Sequence, residues 1–185
     1  MRLVPIAATA ILAAIASACP AEDVDHPAYL SWAGHPIGTS VTLRTRTASK
    51  GRLLTTTITT TLKELKPDVA ILESRKVSDA TGTTVENAPE IVRINRKFPL
   101  LPGVKKEDIG KPRGASNQGE ETIKVGEKEF KSVWFDSKSK GDGNLDLLTR
   151  TWMSDELPGR LVKSVTEIPT AETTVTTELI EFKAP

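Results

Sequence analysis

The stretch VTLRTRTASKGRLLTTTITTTLKEL, residues 41–65, decides the fold. Its first seven residues alternate, so that Val41 and Leu43 lie on one side and two arginines on the other, as on a half-buried strand. A Ser-Lys-Gly turn follows at 49–51, and a run rich in threonine comes after it. Threonine loses rotamer freedom in a helix and packs well on a pleated sheet. The stretch therefore predicts two antiparallel strands joined by a tight turn.

Similar segments recur along the rest of the chain, separated by turns that contain Gly, Pro or Asp. Residues 25–32 predict a short helix, because Pro27 suits a first helical turn and Gly34 suits a helix end. Residues 100–119 are rich in Gly and Pro and predict a long loop. The further predicted strands are 69–79, one of 83–88 or 91–97, 121–125, 129–136, 146–153, 161–168 and 173–182.

This order of elements predicts the fold class. No segment has the pattern of a helix long enough to connect parallel strands, which argues against a parallel sheet. The sequence predicts a mainly β protein with a short N-terminal helix and one curved antiparallel sheet, a half-barrel or open barrel, of about eight or nine strands. Because the chain has a single cysteine, no intramolecular disulfide can form and the hydrophobic core has to stabilise the fold.

The N-terminus has the three parts of a secretory signal. A single basic residue, Arg2, precedes an apolar run from Leu3 to Ile15, and the small residues Ala16-Ser17-Ala18 follow. The apolar run is shorter than the roughly 20 residues that a membrane-spanning helix needs. We predict a cleaved signal peptide over 1–18, an N-terminal segment with the short helix over 19–40 and an antiparallel β domain over 41–185.

Cys19 stands at the predicted cleavage point. Ala16-Ser17-Ala18-Cys19 resembles a bacterial lipobox, which implies a diacylated Cys19 as the new N-terminus and a lipid anchor. Ala16 departs from that motif, which usually has Leu there, so ordinary cleavage after Ala18 or Ala21 is the alternative. Both alternatives predict an exported protein, periplasmic or at the cell surface, with no transmembrane span in the mature chain.

Composition and motifs argue against several classes of partner and of catalytic site. The chain has 25 basic and 24 acidic side chains, and such an even balance gives no field that would attract nucleic acid. Its histidines are His26 and His35 alone, whereas a zinc site needs three or four ligands. No nucleophile elbow, P-loop, dinucleotide fingerprint or zinc-protease motif occurs. We predict no metal, no cofactor, no nucleic acid partner and no enzymatic activity.

Aromatic side chains are the candidate ligand-binding residues. Trp134, Trp152, Phe130 and Phe135 lie on predicted strands. Curved sheets often leave an apolar concavity, and these rings would line it around a lipid or another apolar small molecule. The alternative is that the same rings fill the core against the buried face of the sheet.

The segment Trp152-Met153-Ser154-Asp155-Glu156-Leu157-Pro158-Gly159 forms a W-x-S-x-x-x-P-G motif. It resembles a segment of uncharacterised exported bacterial β-rich proteins, and their sheets are distantly similar to the half-barrels of periplasmic lipoprotein carriers. Trp32 followed by Gly38-Thr39-Ser40-Val41, and the hairpin over 121–134, resemble the same proteins. The resemblance implies a curved half-barrel in the cell envelope and transfers no binding residue to this chain.

Three functions remain open at this point. The leading expectation is a non-enzymatic extracytoplasmic binding module for a lipid or another apolar ligand of the cell envelope. The alternative is a structural or protein-interaction domain at the cell surface with an envelope protein as partner, which an exposed apolar patch or an open strand edge would favour. The third is an envelope hydrolase, which would require carboxylates or His26 and His35 to converge in a pocket.

Overall fold

The computed structural model of the protein describes residues 22–80, 82–101 and 103–185. The predicted signal peptide and Cys19 lie outside the described residues, so cleavage and lipidation stay predictions from the sequence. Within the described ranges, no helix combines the length and the hydrophobicity that crossing a membrane requires.

Strands dominate the described residues, and the helix α1 spans Pro27–Ala33. The strands are β1 Asp23–Asp25, β2 Ser40–Ser49, β3 Arg52–Leu65, β4 Val69–Ala80, β5 Thr83–Glu86, β6 Glu90–Asn95, β7 Lys97–Pro99, β8 Ala115–Val125, β9 Lys128–Lys140, β10 Asp146–Met153, β11 Leu161–Ile168 and β12 Thr173–Lys183. Single 3-10 turns span Lys106–Asp108, Asp142–Asn144 and Pro169–Ala171.

Ten of these strands form one antiparallel sheet. Its order is β5-β4-β3-β2-β12-β11-β10-β9-β8, and β6 pairs with β4 on the same side as β5. Two meanders therefore meet where β2 pairs with β12, and the sheet does not close, because β8 ends one side and β5 and β6 end the other. β1 and β7 form a separate two-stranded sheet. The prediction of a mainly β fold with an open antiparallel sheet and an N-terminal helix is confirmed.

The sheet exceeds the predicted number of strands because both alternatives for the fourth strand form. β5 pairs with the C-terminal part of β4, from Val77 to Ala80, and β6 pairs with the N-terminal part, from Val69 to Ser74. Pro89 separates the two, and a residue without a backbone N–H is tolerated at such an interruption on a sheet edge.

The predicted loop over 100–119 is wrong at its C-terminal end. β8 begins at Ala115 and pairs with β9 from there, with one irregularity at Ser116. Asn117 and Gly119 belong to residue types that are rare in strands, and the hydrogen-bonded pairing with β9 overrides that preference. The loop proper is therefore limited to the residues between β7 and β8.

The helix α1 packs into the core through two aromatic residues. His26 accepts a hydrogen bond from the Ala28 backbone N–H at 3.1 Å as the N-cap, and Tyr29 and Trp32 fall on one buried face. The Tyr29 hydroxyl donates to the Lys66 carbonyl oxygen at 2.8 Å. Burying a large apolar side chain contributes about 1.5–3 kcal/mol. The buried core cluster contains Tyr29, Trp32, Val41, Leu62, Ala70, Leu72, Phe130, Leu157, Val162 and Leu179.

The abundant threonines pair across the central strands. The hydroxyl oxygens of Thr45 and Thr177 lie 2.9 Å apart on β2 and β12, and those of Thr149 and Thr166 lie 2.9 Å apart on β10 and β11. Facing hydroxyls of this kind stabilise neighbouring strands while each satisfies the other's polar group. The threonine runs thus strengthen the sheet and keep its faces polar where no other segment covers them.

Candidate functional site

Strand β9 separates the predicted site residues between two faces of the sheet. Successive side chains of a strand point to opposite faces, so Trp134 and Phe135 diverge although they are adjacent. Trp134 lies opposite Trp152 in the register with β10, and Asp136 lies opposite Arg150. We call the face that carries these four side chains the indole face. The opposite face of the same strands, which carries Phe135, is the Phe135 face.

The indole face brings the two predicted tryptophans together over a glycine. Gly119 of β8 pairs with Trp134, and a Cβ atom added at Gly119 would lie 2.6 Å from the Trp134 ring. Any side chain at this position would displace the indole, so residue 119 has to be glycine for Trp134 to pack as it does. The sequence shows a glycine at position 119 but not its place beneath Trp134, because the pairing of β8 with β9 cannot be read from the sequence pattern.

Charged side chains fill the space around the indoles. The Arg150 guanidinium carbon lies 4.3 Å from the centre of the Trp134 ring, a cation–π distance. Its Nε and Nη2 donate to the two carboxylate oxygens of Asp136 at 2.6 and 2.9 Å. This bidentate pair lowers the pKa of Asp136 below the ordinary carboxyl value and raises that of Arg150. Because both partners are largely exposed, solvent screens the pair.

Trp152 is held at both of its ends. Its Nε1 donates to the Glu121 carboxylate at 2.7 Å, and the Lys163 ammonium lies 5.2 Å from its ring centre. Beside it runs a groove of about 440 Å³, whose lining includes Asn117, Leu148 and Val165. The indole face thus satisfies most of its aromatic and charged groups with its own side chains, and its groove is smaller than the cavity that adjoins Phe135.

Phe130 belongs to the core rather than to a cavity. Its side chain is 4 % exposed, and its ring meets Phe182 edge-on at 6.4 Å. The Lys128 ammonium lies 5.0 Å from the centre of the Phe182 ring, and the centre of the His35 ring lies 5.9 Å from it. Both neighbours thus use Phe182 as their aromatic partner. The alternative anticipated from the sequence, core packing, describes Phe130.

Phe135 lines the larger cavity, about 700 Å³ in volume. The ring is 7 % exposed and lies beneath the segment that connects β7 to β8. We call residues 103–114 of that connection the cover segment. Its Val104, together with Leu101 just before it, supplies apolar side chains to the cavity. The full lining is Leu101, Gly103, Val104, Asp108, Lys111, Pro112, Arg113, Gly114, Ala115, Ser116, Asn117, Gln118 and Phe135.

Two polar contacts hold the cover segment in place. Arg160 Nη1 donates to the Gly110 carbonyl oxygen at 3.2 Å, and Lys106 Nζ lies 2.7 Å from Glu22 Oε1. Gly110 has a φ of +83°, and a Cβ there would lie 3.0 Å from Arg160 Nη1. Glycine is therefore required at this point for the segment to lie over Phe135. Sequence analysis missed Leu101 and Val104, although apolar residues within a Gly- and Pro-rich stretch were the available signal.

The histidines and acidic residues do not converge among the described residues. His26 caps α1 and meets Phe98 edge-on at 5.1 Å, whereas His35 contacts Phe182. Burial lowers the pKa of His35 below its ordinary value. In the part of the chain that the structure describes, no group of three or more His, Cys, Asp or Glu side chains is placed to hold a metal ion.

No family model matches the chain, and no curated protein matches it in sequence. Solved structures resemble it distantly. A Parabacteroides distasonis protein provisionally described as a lipoprotein is 16% identical with a TM-score of 0.45, over 80% of this chain and 96% of that one. A Bacteroides fragilis protein provisionally described as exported, with a YmcC-like fold, is 11% identical with a TM-score of 0.45, over 89% and 100%.

A third likeness concerns a Vibrio parahaemolyticus domain provisionally described as an outer membrane lipoprotein-sorting protein domain. It is 10% identical with a TM-score of 0.28, over 85% of this chain and 90% of that one. The descriptions of these neighbours include exported, lipoprotein and lipoprotein-sorting proteins, and none of them bears on the W-x-S-x-x-x-P-G segment itself. Likenesses this distant assign neither a ligand nor a site residue to this chain.

Proposed function

We propose that this chain is a non-enzymatic extracytoplasmic binding module that holds a lipid or another apolar small molecule between Phe135 and the cover segment. The observation that carries the proposal is the 700 Å³ cavity over Phe135. Binding pockets for small molecules commonly measure roughly 300–1,000 Å³ and combine apolar walls with a few polar groups. Leu101, Val104 and Phe135 supply such walls here, and Ser116 and Asn117 supply polar groups.

The proposed location is the cell envelope. It rests on the secretory pattern of residues 1–18, with Cys19 as a lipid attachment point or ordinary cleavage as the alternative. An envelope protein with an open apolar cavity can take up a ligand that is poorly soluble in water, because the ligand leaves water for the cavity wall. The sequence and the cavity therefore support the same proposal from independent observations.

Native mass spectrometry of the protein, purified from the envelope fraction after expression of the full chain, tests the proposal first. We expect a discrete extra mass that is lost on denaturation and belongs to an apolar molecule. Titration with Nile red, a neutral apolar fluorophore, then measures occupancy of the cavity directly. Tight saturable binding supports a cavity for apolar ligands.

Two matched valine variants assign the binding to the Phe135 face. Val104→Trp places an indole in the cavity from the half-exposed cover segment, and we expect it to weaken Nile red binding at least tenfold, about 1.4 kcal/mol. Val85→Trp puts the same side chain on the exposed strand β5, away from the cavity, and is the control. Equal affinities for the two variants would contradict the proposed site.

A protein-interaction domain is the second candidate, favoured by one edge of the sheet. Val85, Ile91 and Val92 on β5 and β6 are 54, 58 and 37 % exposed, and an open edge can pair with a strand of another chain. If a second copy of this chain pairs there, sedimentation equilibrium shows dimers that Ile91→Lys abolishes. A monomer at every concentration would eliminate this self-pairing.

A further inference from the structure

We infer that the cavity over Phe135 selects single-chain amphiphiles with an anionic end, a carboxylate or a phosphate. This inference rests on the proposed function and names the class of its ligand. It begins with the distribution of the lining groups. The apolar groups are Phe135, Leu101 and Val104, whereas the charged groups, Asp108, Lys111 and Arg113, all come from the cover segment. The cavity therefore combines an apolar wall with a charged one, as an amphiphile requires.

The charged wall carries an excess of positive charge. Lys111 Nζ lies 3.1 Å from Asp108 Oδ1, so these two side chains neutralise each other. Arg113 forms no ion pair with any residue in the described ranges, and it also lines the cavity. One cation thus faces the cavity without a neutralising carboxylate. A guanidinium binds carboxylate and phosphate groups through two parallel hydrogen bonds, which makes arginine suited to recognising either.

The whole cover segment shows the same imbalance. It contains the basic residues Lys105, Lys106, Lys111 and Arg113 and the acidic residues Glu107 and Asp108. The complete chain is nearly neutral, with a formal charge of +1. The cover segment therefore carries a formal charge of +2, although Glu22 pairs with Lys106 and neutralises part of it. An anionic end placed beside Arg113 would gain from the whole segment, whereas a neutral end would gain only hydrogen bonds.

The size of the cavity suits a ligand with one apolar chain. A volume of about 700 Å³ lies within the range of pockets for small molecules, and Phe135 forms its buried wall. We therefore assign the apolar chain to the wall of Phe135, Leu101 and Val104 and the anionic end to Arg113. Fatty acids and lysophospholipids with a free phosphate share this chemistry.

Affinities for palmitate, palmitoyl lysophosphatidate and hexadecanol test the inference on the full chain purified from the envelope and freed of bound lipid. A hydrogen-bonded charge pair is worth roughly 10–100-fold in affinity. We expect the two anionic ligands to bind more tightly than hexadecanol by about that factor, and added salt to weaken only the anionic ligands. The tighter of the two anionic ligands distinguishes a carboxylate end from a phosphate end.

Two arginine variants complete the test. Arg113→Gln should remove the preference for palmitate and leave hexadecanol binding unchanged, whereas Arg93→Gln, on the exposed strand β6, should leave both unchanged. Equal binding of palmitate and hexadecanol to the natural protein, or an unchanged preference in Arg113→Gln, would overturn the inference while the cavity proposal stands. Failure of every ligand, together with Nile red, would instead overturn the proposed function.

Discussion

Trp134 and Phe135 are adjacent in the chain, yet they lead to two different regions. On the indole face, Trp134 is enclosed by Gly119, Arg150 and its neighbours. On the Phe135 face, the ring is covered by a segment that leaves about 700 Å³ beside it. Both rings are aromatic and both lie on β9, so aromatic character alone does not identify a binding residue.

The two regions differ in the interactions that neighbouring side chains make around each ring. Arg150, Asp136 and Glu121 give the indole face its own cation–π contacts and hydrogen bonds, so a ligand there would have to displace interactions already made. Protein covers most of the Phe135 ring, which is 7 % exposed, and the cavity adjoins the part that remains. A ligand on that side adds contacts without removing any, which is why we place the binding function there. Four pairs of substitutions test these packing and charge contacts.

Truncating a phenylalanine of the core and the phenylalanine of the Phe135 face should have the largest effects. Phe130→Ala removes a ring from the closed core and should lower the free energy of unfolding by about 3–5 kcal/mol. Phe135→Ala should cost about half as much, because the ring already borders an open cavity. Urea denaturation measures both values. Equal losses for the two variants would show that Phe135 is packed as tightly as Phe130 and would break the contrast.

Adding a methyl group under Trp134 should have the next largest effect. Gly119→Ala puts a Cβ atom 2.6 Å from the indole, and overpacking of this kind costs about 1–3 kcal/mol. Gly34→Ala is the control, because a Cβ there meets nothing within 4 Å and the backbone φ is −79°. Thermal unfolding and tryptophan fluorescence report the two variants. If the two variants unfolded at similar temperatures and had similar fluorescence, the Trp134 indole could accommodate an added methyl group, which would contradict the tight packing.

Acid should weaken the ion pair between Asp136 and Arg150 on the indole face. Arg150 lowers the pKa of Asp136, so the stabilisation from their pair is present above the ordinary carboxyl pKa of about 4 and is lost as pH falls through the lowered value. Asp136→Asn should therefore flatten the pH dependence of stability in that acidic range. Asp142→Asn, a carboxylate in the turn before β10, is the control. An identical acid profile for natural protein and Asp136→Asn would contradict the pairing.

His35 should give the smallest effect, at higher pH. Burial lowers its pKa, so the unfolded chain takes up the proton first and stability falls as pH drops below about 6.5, until the folded value is reached. His35→Gln should remove this dependence of stability on pH. His26→Gln, which changes the cap of α1, should lower stability but keep the pH dependence. If the His35→Gln variant kept the pH dependence, another titrating group would be its cause.

The hydrophobic periodicity of the sequence predicted most strands of the sheet but not how they pair with one another. The alternation over 41–65 reports local burial, so β2 and β3 follow from the sequence. The three-residue strands β1 and β7 are too short to leave a pattern. Pro89 obscured β5 and β6, because a proline is equally consistent with ending a strand and with interrupting an edge.

The candidate site was predictable only in part, because it depends on pairings between distant residues. The aromatic content of β9 and β10 indicated Trp134, Trp152, Phe130 and Phe135. The sequence does not show that the strand register places Trp134 opposite Trp152, or that Phe135 points to the other face of the sheet. The cavity wall contributed by Leu101 and Val104 comes from a loop without periodicity. Its position over Phe135 depends on the hydrogen bond from Arg160 to Gly110, fifty positions apart in the chain.

Paramagnetic broadening by a nitroxide-labelled fatty acid tests the central claim most directly. Methyl groups of Leu101 and Val104 line the Phe135 cavity, whereas those of Leu148 and Val165 line the groove on the indole face. We predict that the bound label broadens the Leu101 and Val104 methyl resonances more strongly than those of Leu148 and Val165, because the two linings share Ser116 and Asn117 and therefore lie close together. Stronger broadening of Leu148 and Val165 instead would place the ligand on the indole face and contradict the account.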